Sequence, residues 1–155
     1  MGMLAKRKAK KVLEEGMDLH QKGDLRGAEM RYVQALSYDP NSIEGHLNYG
    51  DLLRATGRPK AAEIEYRKAM IMDEERGEPH ASLAALYHSQ SRYDLAEEEY
   101  KKAISLQPGN INTQMNLAQL YMDTVRYSEM KKIYSNPLHR VKDPRLRARI
   151  EERMG

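Results

Sequence analysis

Histidine is the side chain in this sequence best suited to moving a proton or binding a metal. Four of the five histidines share one spacing: His46 and His80 stand a single interval apart, and His20 and His88 stand twice that interval apart. If the chain stacks as helical units of that length, two units separate His20 from His88 by on the order of 20 Å, too far to share a metal ion. His46 and His80 fall on apolar helix faces and read as core residues. Other starting points for catalysis are missing. Without cysteine there is no thiolate nucleophile, thiolate metal site or disulfide. No glycine-rich phosphate loop, HExxH pair or carboxylate-rich calcium loop is present. An isolated Ser, His or Asp on a helix lacks the base and orienting partner that activation needs. The expectation is a non-enzyme with no cofactor and no metal.

What the residue types do offer is recognition. Asn48, Ser82 and Asn116 recur at the interval that separates His46 from His80. A carboxamide both donates and accepts, so such a ladder can hold an extended backbone without reading its side chains. His20, Arg54 and His88 form a second line at that interval, beside Glu14, Glu44, Asp51 and Glu78. Leu13, Met17, Leu47, Met115 and Met122 supply apolar contact area, and methionine suits an adaptable surface. Asp51, Ala85 and Gln119 complete the expected binding face.

These placements hold only if repeated helices carry them. The run Ala96 to Ala103 recurs as Ala62 to Ala69 and as Ala28 to Ala35, with Tyr100, Tyr66 and Tyr32 at its centre and Tyr134 one step further on. A fixed period of this length signals stacked helical repeats. Apolar stripes at helical spacing, such as Val12, Gly16 and Leu19, alternate with breaks at Gly23-Asp24, Gly57-Arg58-Pro59 and Ser91-Arg92. Asp24 suits an N-cap and Pro59 a first helical turn. Gly16, Gly50, Ala84 and Ala118, with Ala28, Ala62 and Ala96, are small enough to let two helices approach closely. Pro40 and Pro108 end second helices; Glu74 stands where Pro40 stood, which predicts a less sharply enforced exit there.

This frame resembles the tetratricopeptide repeat: a period of about 34 residues, a helix hairpin, small-tyrosine-small on the second helix, and proline at its exit. The resemblance implies an all-α fold, a right-handed superhelix of stacked antiparallel helix pairs. This is an α-solenoid of about 3.5 units with a C-terminal capping helix. It reads as a single domain over 1–155, with repeats at 9–42, 43–76 and 77–110, a partial repeat at 111–136, and the cap at 144–153. The family's aromatic near the start of the first helix is replaced by Val12, His46, His80 and Gln114. In this family the first helices line a concave groove that holds a peptide or protein segment, so the implied function is a non-catalytic adaptor. Relatives that grip acidic chaperone tails use a Lys/Asn/Arg clamp. Its places here read Leu13, Met17, Asn48, Glu78 and Ser82, of which Asn48 alone matches, which argues against that partner.

Charge is unevenly laid out. Residues 1–11 carry five cations and no acid, residues 12–125 carry 12 basic and 19 acidic groups, and residues 126–155 carry nine basic and four acidic groups. Basic ends around an acidic middle give a second reading, self-association into a homo-oligomeric scaffold. Nucleic acid or an anionic surface is a weaker third, since no aromatics alternate with the basic runs. The chain lacks a run of 18 apolar residues, so no membrane span is expected. A cytoplasmic location is expected.

Overall fold

The computed structural model describes residues 2–124, together with Arg145, Ala148 and Glu152, which are helical. The helices are α1 (Met3–Gln21), α2 (Leu25–Tyr38), α3 (Ile43–Ala55), α4 (Pro59–Met72), α5 (Gly77–Ser89), α6 (Tyr93–Leu106) and α7 (Ile111–Asp123). Among the described residues there is no strand. The architecture is an all-α helical repeat of the solenoid class. Helices α2, α4 and α6 start at Leu25, Pro59 and Tyr93, and α3, α5 and α7 at Ile43, Gly77 and Ile111. Each start follows the previous one by the interval that separates Tyr32 from Tyr66.

The same turn is built three times. The backbone turns left-handed at Gly23 (φ +88°), Gly57 (φ +77°) and Ser91 (φ +57°). At each, the following amide reaches back to a carbonyl in the last turn of the helix: Asp24 N–H to Leu19 O, Arg58 N–H to Leu53 O and Arg92 N–H to Tyr87 O, at 2.8–2.9 Å. This is the Schellman closure that a left-handed residue permits. Glycine adopts that conformation freely, whereas Ser91 does so at a cost. Starts are capped as their residue types require. Asp24 accepts from the Gly27 amide at 2.9 Å, Ser42 from Gly45 at 3.0 Å and Asn110 from Thr113 at 3.3 Å. Pro59 opens α4, where its missing N–H is harmless.

The exit of α4 departs from expectation. Without proline it still ends at Met72, in register with Tyr38 and Leu106. What the three exits share is an extended residue after the last turn: Asp39 (φ −137°), Asp73 (φ −150°) and Gln107 (φ −134°). The second half of the fourth repeat and most of the expected capping helix lie outside the described residues.

The chain forms two compact units, Met1–Glu74 and Glu75–Gly155. In the first, α1 pairs with α2, α3 pairs with α4, and α2 packs on α3. In the second, α5 pairs with α6, and α6 packs on α7. Tyr32, Tyr66 and Tyr100 are buried, each flanked by buried alanines: Ala28 and Ala35, Ala62 and Ala69, Ala96 and Ala103. Each such tyrosine contributes roughly 2 kcal/mol of burial. Gly16 and Gly50 make room for the first two. A Cβ at Gly16 would lie 2.8 Å from Tyr32 Cδ1, and one at Gly50 would lie 2.5 Å from Tyr66 Cε1.

Gly50→Ala therefore forces a methyl into the space of a buried ring. Overpacking costs about 1–3 kcal/mol, and alanine returns about 1 kcal/mol of helix propensity. The expected net loss is about 1 kcal/mol, read as a lower urea midpoint. Gly109→Ala is the control, since its Cβ meets nothing within 4 Å. A Gly50→Ala midpoint at or above the parent's would overturn the account.

Candidate peptide-binding faces

On α1, Lys6, Lys10, Leu13 and Met17 recur every three or four residues and so share one helix face. With Glu44 and Asn48 of α3 and Asp39 of the intervening turn, they line a cavity of about 410 Å³ in the first unit. Its floor is apolar: Ala9 and Leu13 are buried, and Met17 stands 44% exposed at the edge. Its rim is charged, with Lys6 and Lys10 on α1 and with Glu14, Asp39 and Glu44 also lining it.

Of the residues expected here, Met17 and Asn48 line the cavity as surface groups. Asn48 Nδ2 donates to the Glu44 carbonyl one turn back at 2.8 Å, a common habit of a mid-helix Asn. Its Oδ1 makes no hydrogen bond among the described residues. Leu13 is a correction to the expected contact area. It belongs to a buried cluster with Ala28, Tyr32, Ala35 and Leu52, and shows the cavity only an edge. Leu47 and, in the second unit, Met122 are buried too and offer a partner little area. Their positions border the packing stripe, and a long apolar side chain there falls inward rather than outward.

The expected line His20, Arg54, His88 is not a row of loose cations. His20 Nδ1 and the Tyr32 hydroxyl are hydrogen-bonded at 3.2 Å, with the rings edge to face. Arg54 is half-buried. The Tyr66 hydroxyl donates to Asp51 Oδ1 at 2.6 Å. In the second unit, His88 Nε2 donates to Asp123 Oδ2 at 2.7 Å, and Gln119 Nε2 donates to Asp123 Oδ1 at 2.8 Å. Ser82, Ala85 and Met115 are half-buried and Asn116 is exposed in that unit. The tyrosines are core residues as expected, yet Tyr32 and Tyr66 deliver their hydroxyls to His20 and Asp51 of the expected binding face. Burial, with the Asp51 charge adding to it, pushes the Tyr32 phenol up to about 12. The same two causes, with the Asp51 hydrogen bond, raise Tyr66 further. Both stay protonated.

The histidines assigned to the core carry a network that periodicity alone did not reveal. His46 Nε2 donates to the Pro40 carbonyl at 2.7 Å, and His46 Nδ1 meets Glu65 Oε2 at 2.6 Å. Both ring nitrogens face acceptors, an arrangement that favours the imidazolium. Lys68 holds the other oxygen, Glu65 Oε1, at 3.3 Å. His80, Glu99 and Lys102 repeat the arrangement, with contacts of 2.6 and 3.3 Å. Gln114 Nε2 replaces the His46 bond to the turn by donating to the Pro108 carbonyl at 2.6 Å. The signal that could have found the pairs is that Glu65 and Glu99 themselves stand one repeat apart. Among the described residues no group of three or more His, Cys, Asp or Glu could hold a metal ion.

Tetratricopeptide-repeat models match residues 19–87 and 78–110, which together span more than half of the sequence. The chain belongs to the tetratricopeptide repeat family. Tetratricopeptide repeats are protein-interaction modules, and the fold is typically non-catalytic. Solved structures carry the same fold. The pilF structure of Pseudomonas aeruginosa superposes with a TM-score of 0.78 at 21% identity, covering 97% of this chain and 67% of that one. The first repeat domain of Spaghetti (RPAP3), bound to the HSP90 peptide SRMEEVD, gives 0.71 at 17% identity, covering 77% and 95%. The OM64 repeat domain of Arabidopsis gives 0.71 at 18%, covering 77% and 98%. No curated protein matches the sequence. No helix among the described residues is long and apolar enough to cross a membrane.

The His46–Glu65 pair makes stability depend on pH. Burial opposes the charge on His46, but the Glu65 hydrogen bond, the Pro40 carbonyl and the Glu65 charge outweigh it and raise its pKa. Burial likewise opposes ionised Glu65, and hydrogen bonds from His46 and Lys68 outweigh it and lower its pKa. The His46 contribution is complete below its unfolded pKa of about 6.5 and fades as pH rises through the raised value. The Glu65 contribution is complete above about 4.3 and fades as pH falls through the lowered value. The advantage of the parent over His46→Gln is therefore expected to be largest near pH 5–6 and to shrink toward pH 9. Urea midpoints of the two proteins across that range test it, and a gap that widens with rising pH refutes it.

Proposed function

We propose that this tetratricopeptide-repeat chain is a non-catalytic adaptor that holds a peptide or protein segment against the faces of its first helices. The observation that carries the reading is the first-unit cavity, with its apolar floor, charged rim and Met17 and Asn48 at the surface. Pockets of a few hundred Å³, mostly apolar with a few placed polar groups, are what ligand side chains enter. In the second unit, Ser82, Ala85, Met115, Asn116 and the His88–Gln119–Asp123 cluster are the corresponding contact residues. In the first, His20, Asp51 and Arg54 extend the face beyond the cavity.

The partner is not an acidic chaperone tail of the kind named for the RPAP3 structure. An incoming carboxylate would meet Leu13 where the clamp has a cation and Met17 where it has Asn, and Glu78 would repel it. Glu78 is exposed and already paired with Arg76 at 3.3 Å. An apolar anchor is the better complement to Met17 and the cavity floor. The same proposal places the module in the cytoplasm, in keeping with a chain that has no cysteine to oxidise.

Peptides selected against the intact chain from a displayed random library should lose about 10-fold or more in affinity on Met17→Glu with Asn48→Ala, the scale of losing an anchor side chain. Far-ultraviolet circular dichroism should be unchanged, because both side chains are at the surface. Selected peptides that bind parent and variant equally would refute use of this face.

A further inference from the structure

Helix α1 is longer than its repeat needs. It runs 19 residues where α2 to α7 run 13 or 14. It starts at Met3, and Ala9 is the first of its residues to be buried. The extra turns hold Lys6, Arg7 and Lys8, followed by Lys10 and Lys11, and the first acid of the helix is Glu14. A helix start is the positive end of the peptide dipole and favours Asp or Glu; the first turn of α1 has neither. Of these five cations, Lys6 stands in that first turn, where the dipole disfavours a cation. Lys8 lies over the Tyr38 ring, 6.0 Å from its centroid. Among the described residues none of the five forms an ion pair. Fold stability does not account for the placement of the other four.

Met3 and Leu4 beside them are 73% and 66% exposed. At about 100° per residue, Met3, Leu4, Arg7 and Lys11 fall on the side of α1 opposite Ala9, Leu13 and Gly16, which pack inward. Further along that side lie Glu14, Glu15 and Asp18: Glu15 pairs with Arg31 at 3.5 Å and Asp18 with Lys22 at 2.9 Å, while the exposed Glu14 lines the cavity. The patch is thus two exposed apolar side chains set among cations, confined to the first turns.

We propose that this patch docks on an anionic lipid surface. The negative potential of such a leaflet attracts each cation, and Met3 and Leu4 enter the interface that charge alone would not favour. Residues 2–11 contain no aromatic, Asn or Gln to stack on or bond a base, so the apolar pair favours lipid over nucleic acid. Met3, Leu4, Arg7 and Lys11 do not line the cavity, so docking through them leaves Met17 and Asn48 accessible.

The test is co-sedimentation of the full chain with phosphatidylcholine vesicles, with and without about 30% phosphatidylserine. Binding is expected only with phosphatidylserine and should weaken as salt rises. Arg7→Glu with Lys11→Glu should lower partitioning by about 20-fold or more. Its far-ultraviolet circular dichroism should match the parent's, since Arg7 and Lys11 are exposed and make no ion pair among the described residues. Met3→Gln with Leu4→Gln, which changes no charge, should lower partitioning about fivefold. No binding to the phosphatidylserine vesicles, equal binding to pure phosphatidylcholine, or undiminished binding by the charge-reversed variant would overturn the proposal. So would vesicle binding indifferent to Met3→Gln with Leu4→Gln alongside tighter binding of a short single-stranded RNA, which would make the patch a nucleic-acid contact.

Discussion

The close approach of a tyrosine ring to a small residue on the paired helix sets the geometry of each hairpin. Tyr32 lies against Gly16 and Tyr66 against Gly50 at distances that leave no room for a methyl group. A side chain at either glycine would push the helices apart or the ring out of its site, because the flanking alanines leave no slack. The turn must deliver the two helices at that spacing, and it does so with one left-handed residue at the same place in each turn. The second unit reaches a similar hairpin with different means. Ala84 stands where Gly50 does, and Ser91 takes the left-handed conformation that Gly57 adopts freely. A non-glycine residue held there costs on the order of 1 kcal/mol, so the hairpin packing of α5 on α6 must outweigh it.

A buried charge is an unusual device for a hairpin that already has an apolar core. Desolvating an imidazolium and a carboxylate is costly, and such pairs are weak evidence for stability unless their remaining valences are met. Here they are met. His46 is bonded at both nitrogens, and both oxygens of Glu65 are engaged, by His46 and Lys68. The geometry also has a positional consequence. The Pro40 carbonyl bond fastens the turn between α2 and α3 to the interior of the α3–α4 hairpin, and Ser42 caps α3 from the same turn. Asp39 and Ser42 of that turn line the cavity. The buried pair therefore holds one wall of the cavity in place.

The periodic part of the molecule was legible because each feature has a local cause. Gly23 and Gly57 announce left-handed turns, Asp24 announces a cap, and the alanine–tyrosine triads announce close packing. Even the missing proline at Glu74 did no harm to the reading, since the extended Asp73 ends α4 in register without it. Side-chain direction at the edge of a helix face was less legible. Leu13 and Met17 are one turn apart on α1 and looked alike as contact area, yet one belongs to the core and the other stands at the rim. That outcome depends on what the neighbouring helices place beside each, which no single-helix pattern contains. The pairing of His46 with Glu65 is 19 residues apart and leaves no helical spacing to detect. Only its recurrence as His80 with Glu99 betrays it, and only if acids are aligned across repeats as carefully as tyrosines.

The tyrosines join the core to the face. Tyr32 and Tyr66 are fixed by packing on every side, so their hydroxyls have little positional freedom, and each ends on a side chain of the face, His20 or Asp51. Burial keeps both phenols protonated across the ordinary pH range, so Tyr66 remains a donor and Asp51 remains oriented by it. A polar group held from below by a rigid donor needs less ordering when a partner arrives than one on a free side chain. Met17, which stands at the position equivalent to Asp51 one repeat earlier, has no such tether and keeps its rotamer freedom. The first-unit face thus combines a preorganised polar element with an adaptable apolar one. In the proposed function, a polar contact at Asp51 would set register while the Met17 edge adjusts to a side chain entering the cavity.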